Sequence, residues 1–291
     1  MDKRIKKRVF LFGCSRSGTT LLQVVLARHP DIYTLPETFF FDLTIGNRRK
    51  TLAQLNITTG QEKKGLAKVA EILRLNSSQL PYTRSVHYRP TADTFINYLD
   101  ERTLAEDKEM WLEKTPFHIN YIDIIKKYVA NVHFIHIVRD GKDTVASIVD
   151  RANKHDKTLF GQQQQDPAYG IRKWNNAIKI SQEYLGDPLH SFVSYEMLTH
   201  DPDTVLAKLC QELGIDFHPS IKNSQSDQQE KDLTKYAHLA NSSGPIRPTK
   251  SKFDDVFDEP TQSDITKKLD WEKYQAIKES IQQSLASSPT T

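Results

Sequence analysis

The stretch Val9-Phe10-Leu11-Phe12-Gly13-Cys14-Ser15-Arg16-Ser17-Gly18-Thr19-Thr20-Leu21-Leu22 constrains the fold most. Its opening apolar run suits a strand buried on both faces. A small-residue turn follows, and then Leu21, Leu22, Val25 and Leu26 recur at helical spacing. At such a strand-to-helix turn the backbone amides and the positive end of the helix dipole form a cradle for phosphate. Gly13 and Gly18 keep the G-x-x-x-x-G spacing of a nucleotide phosphate loop. Thr19-Thr20 stands, however, where the Walker A pattern requires Lys and then Ser or Thr. That Lys reaches the β- and γ-phosphates in NTPases, while the next hydroxyl holds magnesium. The loop is therefore built for an anionic nucleotide group but not for metal-assisted γ-phosphoryl transfer. Its own cation is Arg16.

The rest of the chain extends the same alternation. Ile32-Tyr33-Thr34 and Trp111-Leu112-Glu113-Lys114 read as short strands, and Val132-His133-Phe134-Ile135-His136-Ile137-Val138 as a central parallel strand. Ser191–Tyr195 reads as a further strand. Helices are predicted over 19–29, 61–75, 91–106, 116–128, 141–151, 169–185, 202–213 and 263–284. Polar stretches at 44–60, 76–90, 155–168 and 220–262 read as loops. Strands alternating with helices predict a P-loop-type three-layer α/β fold, a central parallel sheet flanked by helices. The expected organisation is one domain over 1–291, with a basic tail at 1–8 and a polar tail at 286–291.

Two further segments complete a pattern with the loop. His136-Ile137-Val138-Arg139-Asp140-Gly141-Lys142-Asp143-Thr144-Val145-Ala146-Ser147 places an Arg at a strand's C-terminal edge, where α/β sheets bind ligands, and a Ser eight positions later. Leu112-Glu113-Lys114-Thr115-Pro116-Phe117 places a Lys after another strand. Together with Ser15-Arg16-Ser17-Gly18-Thr19-Thr20, these segments resemble sulfotransferases that use 3′-phosphoadenosine-5′-phosphosulfate (PAPS). The motifs are closest to those of tyrosylprotein sulfotransferases and related bacterial enzymes.

The resemblance implies that Ser15, Arg16, Ser17, Gly18, Thr19 and Thr20 hold the 5′-phosphosulfate, and that Arg139 and Ser147 grip the 3′-phosphate. It carries over to Arg151, Tyr195, Ser251 and Lys252 as further cofactor contacts. It also implies Lys114 as the group that stabilises the leaving oxygen. Cytosolic small-molecule sulfotransferases place their catalytic His in a Lys-Thr-His-x-Pro segment, but Pro116 occupies that place here. The expected base is Glu37, 21 positions after Arg16 as in the tyrosylprotein enzymes. The competing reading has Glu37 capping the next helix. Should Glu37 not serve, His118 is the next residue to test. The implied cofactor is PAPS, with 3′,5′-ADP (PAP) as product and no metal.

Composition narrows the partners without choosing one. A formal charge of +3 is too weak to argue for nucleic acid. No window approaches the ~18 apolar residues of a membrane span. The apolar run after the Lys3–Arg8 cluster is too short for a signal sequence, so the chain reads as cytoplasmic. Cys14 and Cys210 suggest no disulfide framework, and the histidines of the 132–138 strand read as core. Trp111, Trp174 and Trp271 read as packing residues. The expected activity is transfer of a sulfuryl group from PAPS to an acceptor hydroxyl on a saccharide, a tyrosine or a small-molecule alcohol. A P-loop nucleotide kinase and a non-catalytic nucleotide-sensing module stay open as alternatives, as does a homodimer. Arg84, His87 and Arg89 would suit an acidic acceptor if they line its cleft.

Overall fold

The computed structural model describes residues 4–46, 48–76, 78–155, 159–222 and 246–286. Five strands, β1 (Lys7–Gly13), β2 (Ile32–Thr34), β3 (Met110–Lys114), β4 (Val132–Val138) and β5 (His190–Ser194), form one parallel sheet in the order β2-β3-β1-β4-β5. β1 pairs with β3 from Lys7 opposite Met110 to Leu11 opposite Lys114. β2 pairs with β3 from Ile32 opposite Met110 to Thr34 opposite Leu112. Every residue of β3 and β4 is buried, which explains why β4 reads as a near-continuous apolar run. Helices flank the sheet, so the expected layered α/β class is the one observed.

The basic tail is shorter than the sequence suggested, because Lys7 and Arg8 open β1. Arg8 has a partner that charge patterning could not supply. Its Nε donates to Asp100 Oδ1 at 3.0 Å, and Trp111 Nε1 donates to the same oxygen at 2.8 Å. Among the described residues, no helix is long and apolar enough to cross a membrane.

Several polar stretches read as loops contain helices. Phe40–Thr44 and Lys50–Gln54 are helical, the first reaching and the second lying within the 44–60 stretch. The Gln162–Gln165 run belongs to the helix Leu159–Gln165, in keeping with glutamine's good helix propensity. The predicted helix 116–128 begins as a 3₁₀ turn, Pro116–Tyr121, and becomes α-helical at Ile122–Tyr128. The C-terminal helix is two helices, Glu259–Lys268 and Trp271–Ala286. Asp258 caps the first, accepting from Thr261 N–H, and Asp270 accepts from Lys273 N–H at the start of the second. The Asp201 cap and the Gly214 stop of Pro202–Leu213 are where the sequence placed them, Gly214 at φ 72°. Most of the 220–262 stretch and the polar tail after Ala286 lie outside the described residues.

Contacts divide the chain into two compact units, each discontinuous in sequence. One comprises residues 1–12, 20–134 and 218–245. Its core is aromatic: Phe10 meets Trp111 edge-on at 5.3 Å between centroids, and Phe40 stacks on Phe95 at 4.0 Å. The other comprises 13–19, 135–217 and 246–291. There Trp174, fully buried, packs against Trp271 and Tyr274 at 5.7 and 5.4 Å. His136 is buried in the same unit and bonds Ser181 and His190, so it is a satisfied core histidine.

Candidate functional site

The glycine-bearing loop expected to cradle phosphate, Gly13–Thr19, belongs to the second unit. Its shape depends on two positive-φ residues, Arg16 at 73° and Gly18 at 96°. Any Cβ on Gly18 would lie 2.5 Å from the Tyr195 ring, so glycine is needed both for the backbone angle and for the close approach. Ser17 N–H closes the turn onto the Cys14 carbonyl at 3.1 Å, while the Ser17 Oγ is buried with no hydrogen-bond partner.

Arg139 approaches the loop from the end of β4. Its Nη1 donates to the Arg16 carbonyl at 3.3 Å, and its Nη2 to Thr249 Oγ1 at 3.0 Å. The guanidinium lies over the Tyr195 ring, 4.3 Å from the centroid, and the Tyr195 hydroxyl meets Thr249 Oγ1 at 3.1 Å. Arg139 Nε is buried with no partner. Trp174 Nε1 fixes the Arg139 carbonyl at 2.9 Å, and Glu196 accepts from Asp140 N–H at 2.8 Å, which locks the turn that aims the arginine. Ser147 Oγ accepts from Arg16 Nε at 3.2 Å, so the two residues implied as phosphate contacts already touch. The Arg16 pKa is pulled down, first by burial and then by the positive charges of Arg151 and Arg139, with Asp150 opposing. Such crowded cations favour a bound anion, which would relieve their repulsion and satisfy the two orphaned donors.

Ser251 and Lys252 sit at the same helix, Gly141–His155, but on its acids: Ser251 Oγ donates to Asp143, and Lys252 pairs with Asp150 at 2.6 Å. Thr249, which no motif singled out, is the residue of that segment that touches both Arg139 and Tyr195.

The first unit carries the other expected residues. Lys114 ends β3 fully buried, and its ammonium pairs with Glu37 Oε1. A second N–H reaches Thr20 Oγ1 at 3.4 Å, on the residue directly after the loop. An ammonium has three donors, so one remains. Glu37 is 23% exposed at its side chain, and the oxygen that meets Lys114 is its Oε1. It does not cap the next helix, whose N-cap is Phe39 and has no side-chain hydrogen bond. His118 is fully buried, with Nδ1 on Glu113 at 2.8 Å and Nε2 accepting from Phe41 N–H at 3.4 Å, so neither nitrogen is available to an acceptor. Arg89 is spent on structure: it donates to the Tyr128 carbonyl at 3.1 Å and pairs with Asp93.

Residues 8–219 match the profile of the sulfotransferase family. The chain belongs to the sulfotransferase family. Over 216 residues it is 26% identical to the protein-tyrosine sulfotransferase of Drosophila melanogaster, covering 73% of this chain and 39% of that protein. Protein-tyrosine sulfotransferase 1 of Danio rerio is 26% identical over 220 residues, 73% of this chain and 54% of the relative. The chain thus spans about half the length, or less, of the curated relatives it matches. Among solved structures, the sulfotransferase domain of the Synechococcus PCC 7002 olefin synthase superposes with a TM-score of 0.58 at 20% identity, covering 91% of this chain and 95% of that one. The sulfotransferase domain of the curacin biosynthetic pathway gives 0.55 at 20% identity, covering 84% of each. At that identity the likeness establishes the fold.

The loop cysteine is a thiol that should not react in the folded family member. Burial pushes the Cys14 pKa up to about 12, with Lys173 opposing, and that of Cys210 to about 11. Both are free and buried. At pH 8 their thiolate fractions are on the order of 10⁻³ or below. A chromogenic disulfide reagent should therefore label neither thiol in native protein and both after denaturation. Rapid native labelling of Cys14 would mean that the loop opens far more readily than its packing indicates.

Proposed function

We propose that this chain moves a sulfuryl group from PAPS to an acceptor hydroxyl. The observation that carries the reading is the position of Lys114, whose ammonium bonds both Glu37 and Thr20, the residue adjoining the phosphate loop. A nucleotide kinase has no use for a buried lysine at that place, and a nucleotide sensor needs neither Lys114 nor Glu37.

When bound, PAPS supplies an activated sulfuryl group whose departure leaves negative charge on a bridging phosphate oxygen. The loop amides with Arg16 and Ser17 Oγ would hold its 5′ end, and Arg139 and Ser147 its 3′-phosphate. Arg151, Tyr195, Ser251 and Lys252 complete the proposed cofactor contacts. The third N–H of Lys114 would meet charge that develops only as the bond breaks, which is stabilisation confined to the transition state. Glu37 Oε2 would take the acceptor's hydroxyl proton as general base.

Thermal shift and labelled transfer test this together. PAP should raise the melting temperature in the absence of any metal, because a ligand that binds only the folded state stabilises it by linkage. Among the described residues, no group of three or more His, Cys, Asp or Glu is placed to hold a metal ion. Sulfuryl transfer from labelled PAPS should accordingly survive EDTA. Stabilisation by ATP with magnesium but not by PAP, or turnover lost in EDTA and restored by magnesium, would overturn the proposal in favour of phosphoryl transfer.

A further inference from the structure

A second set of polar side chains lies beneath Lys114 and Glu37 without reaching solvent. Glu113 precedes Lys114 and Thr115 follows it, and both are fully buried, as are Thr38 and His118. Burying a carboxylate beside a histidine ring that packs on Phe10 and Phe41 is costly unless its lone pairs are satisfied. Glu113 Oε1 accepts from Thr115 Oγ1 at 2.6 Å and from Thr38 Oγ1 at 2.8 Å, and its Oε2 faces His118 Nδ1 at 2.8 Å. Because His118 Nε2 accepts from Phe41 N–H, the ring proton resides on Nδ1 and is donated to Glu113. Burial alone would raise the Glu113 pKa. The His118 ring and the two hydroxyl donors outweigh it and hold the carboxyl below its usual range.

What this cluster grips is the segment that bears Glu37. Thr115 Oγ1 accepts from Thr38 N–H at 3.1 Å and from Phe39 N–H at 3.3 Å. Phe39 is held at φ 52°, a left-handed conformation rare for a bulky residue. On the other side of Glu37, Gln23 Nε2 donates to the Leu35 carbonyl at 2.7 Å and to Thr34 Oγ1 at 2.9 Å. Glu37 therefore hangs between two buried anchors, and one of them shares its backbone with Lys114.

We propose that Thr115 and Glu113, braced by His118, are positioning residues that hold the Glu37 carboxylate against the Lys114 ammonium. The inference rests on the reading of that pair as the reacting groups. Thr115→Val removes the hydroxyl that links β3 to the Thr38 and Phe39 amides while keeping the volume. A small displacement of a catalytic carboxylate is enough to cost a large factor in rate.

The test measures steady-state turnover from PAPS together with PAP affinity by calorimetry. Thr115→Val is expected to lower kcat by about tenfold or more with PAP Kd and acceptor KM within about twofold of wild type, and Thr115→Ser to restore kcat. Wild-type kcat in Thr115→Val, or a loss that Thr115→Ser does not recover, overturns the positioning role. Should Thr115→Val fail to fold, Thr38→Val, which removes one hydroxyl from the same clamp, carries the test: a fall in kcat at unchanged PAP affinity supports it and wild-type kcat overturns it. Glu37→Gln run in parallel separates the two levels. Full turnover in that variant overturns the base reading and the positioning role with it, whereas an impaired Glu37→Gln beside a fully active Thr115→Val overturns the positioning role alone.

Discussion

Glu37→Gln is expected to lower turnover by roughly 10²-fold or more while PAP affinity stays near wild type, the usual scale for loss of a general base. The substitution keeps the side chain's shape and its capacity to accept from the Lys114 ammonium, but an amide cannot take a proton from a hydroxyl. Lys114 is fully buried, so part of the cost falls on stability, because its charge loses the carboxylate that compensates it. Glu37 itself is partly exposed, and solvent softens that loss. Calorimetric PAP binding is therefore the control that separates a misfolded variant from one that binds its cofactor and cannot turn over. An aliphatic alcohol should suffer more than a phenol, whose proton leaves more easily. Full activity on every acceptor tested would remove Glu37 as base. His118 is then a poor successor, since Glu113 and the Phe41 amide occupy both its nitrogens.

The parts of this molecule legible in the sequence are those written in contiguous residues. The β1 run and the β4 run announce a parallel sheet, because burial on both faces forces unbroken apolar stretches, and the loop glycines announce the turn after β1. The Asp201 cap and the Gly214 stop are likewise local chemistry. Short helices such as Lys50–Gln54 and Leu159–Gln165 escaped detection because they are too brief to show a period.

Motif spacing singled out Arg16, Ser147, Lys114 and Glu37, and the structure pairs Arg16 with Ser147 and Lys114 with Glu37 across long stretches of chain. It missed Thr249, which contacts Arg139 from a polar stretch with no pattern of its own. It also passed over Glu113. Two adjacent charged residues in a strand otherwise apolar were the available signal: one side chain serves the proposed chemistry, and the other anchors the scaffold beneath it.

Arg139→Ala should weaken PAP binding by about 2–3 kcal/mol, roughly 30- to 150-fold in Kd, the order expected when a charge-assisted, forked contact to phosphate is removed. Three of the arginine's present contacts could be surrendered at little cost, since the Arg16 carbonyl, Thr249 and Asp143 only partly occupy its donors and Nε has no partner at all. The guanidinium plane is pre-set by the Tyr195 ring and by Trp174 on its own carbonyl, so little ordering entropy opposes binding. Arg139→Lys isolates the geometry from the charge: a lysine retains the attraction but loses the fork, and its affinity should fall between wild type and alanine. Ser147→Ala should shift Kd less, in the same direction, because a single hydroxyl is lost and Arg16, to which it bonds, remains. Raising the salt concentration should weaken wild-type binding more than that of Arg139→Ala, as one fewer charge is screened. Unchanged PAP affinity in a folded Arg139→Ala variant would take Arg139 out of the phosphate site and leave the β4 terminus without a function.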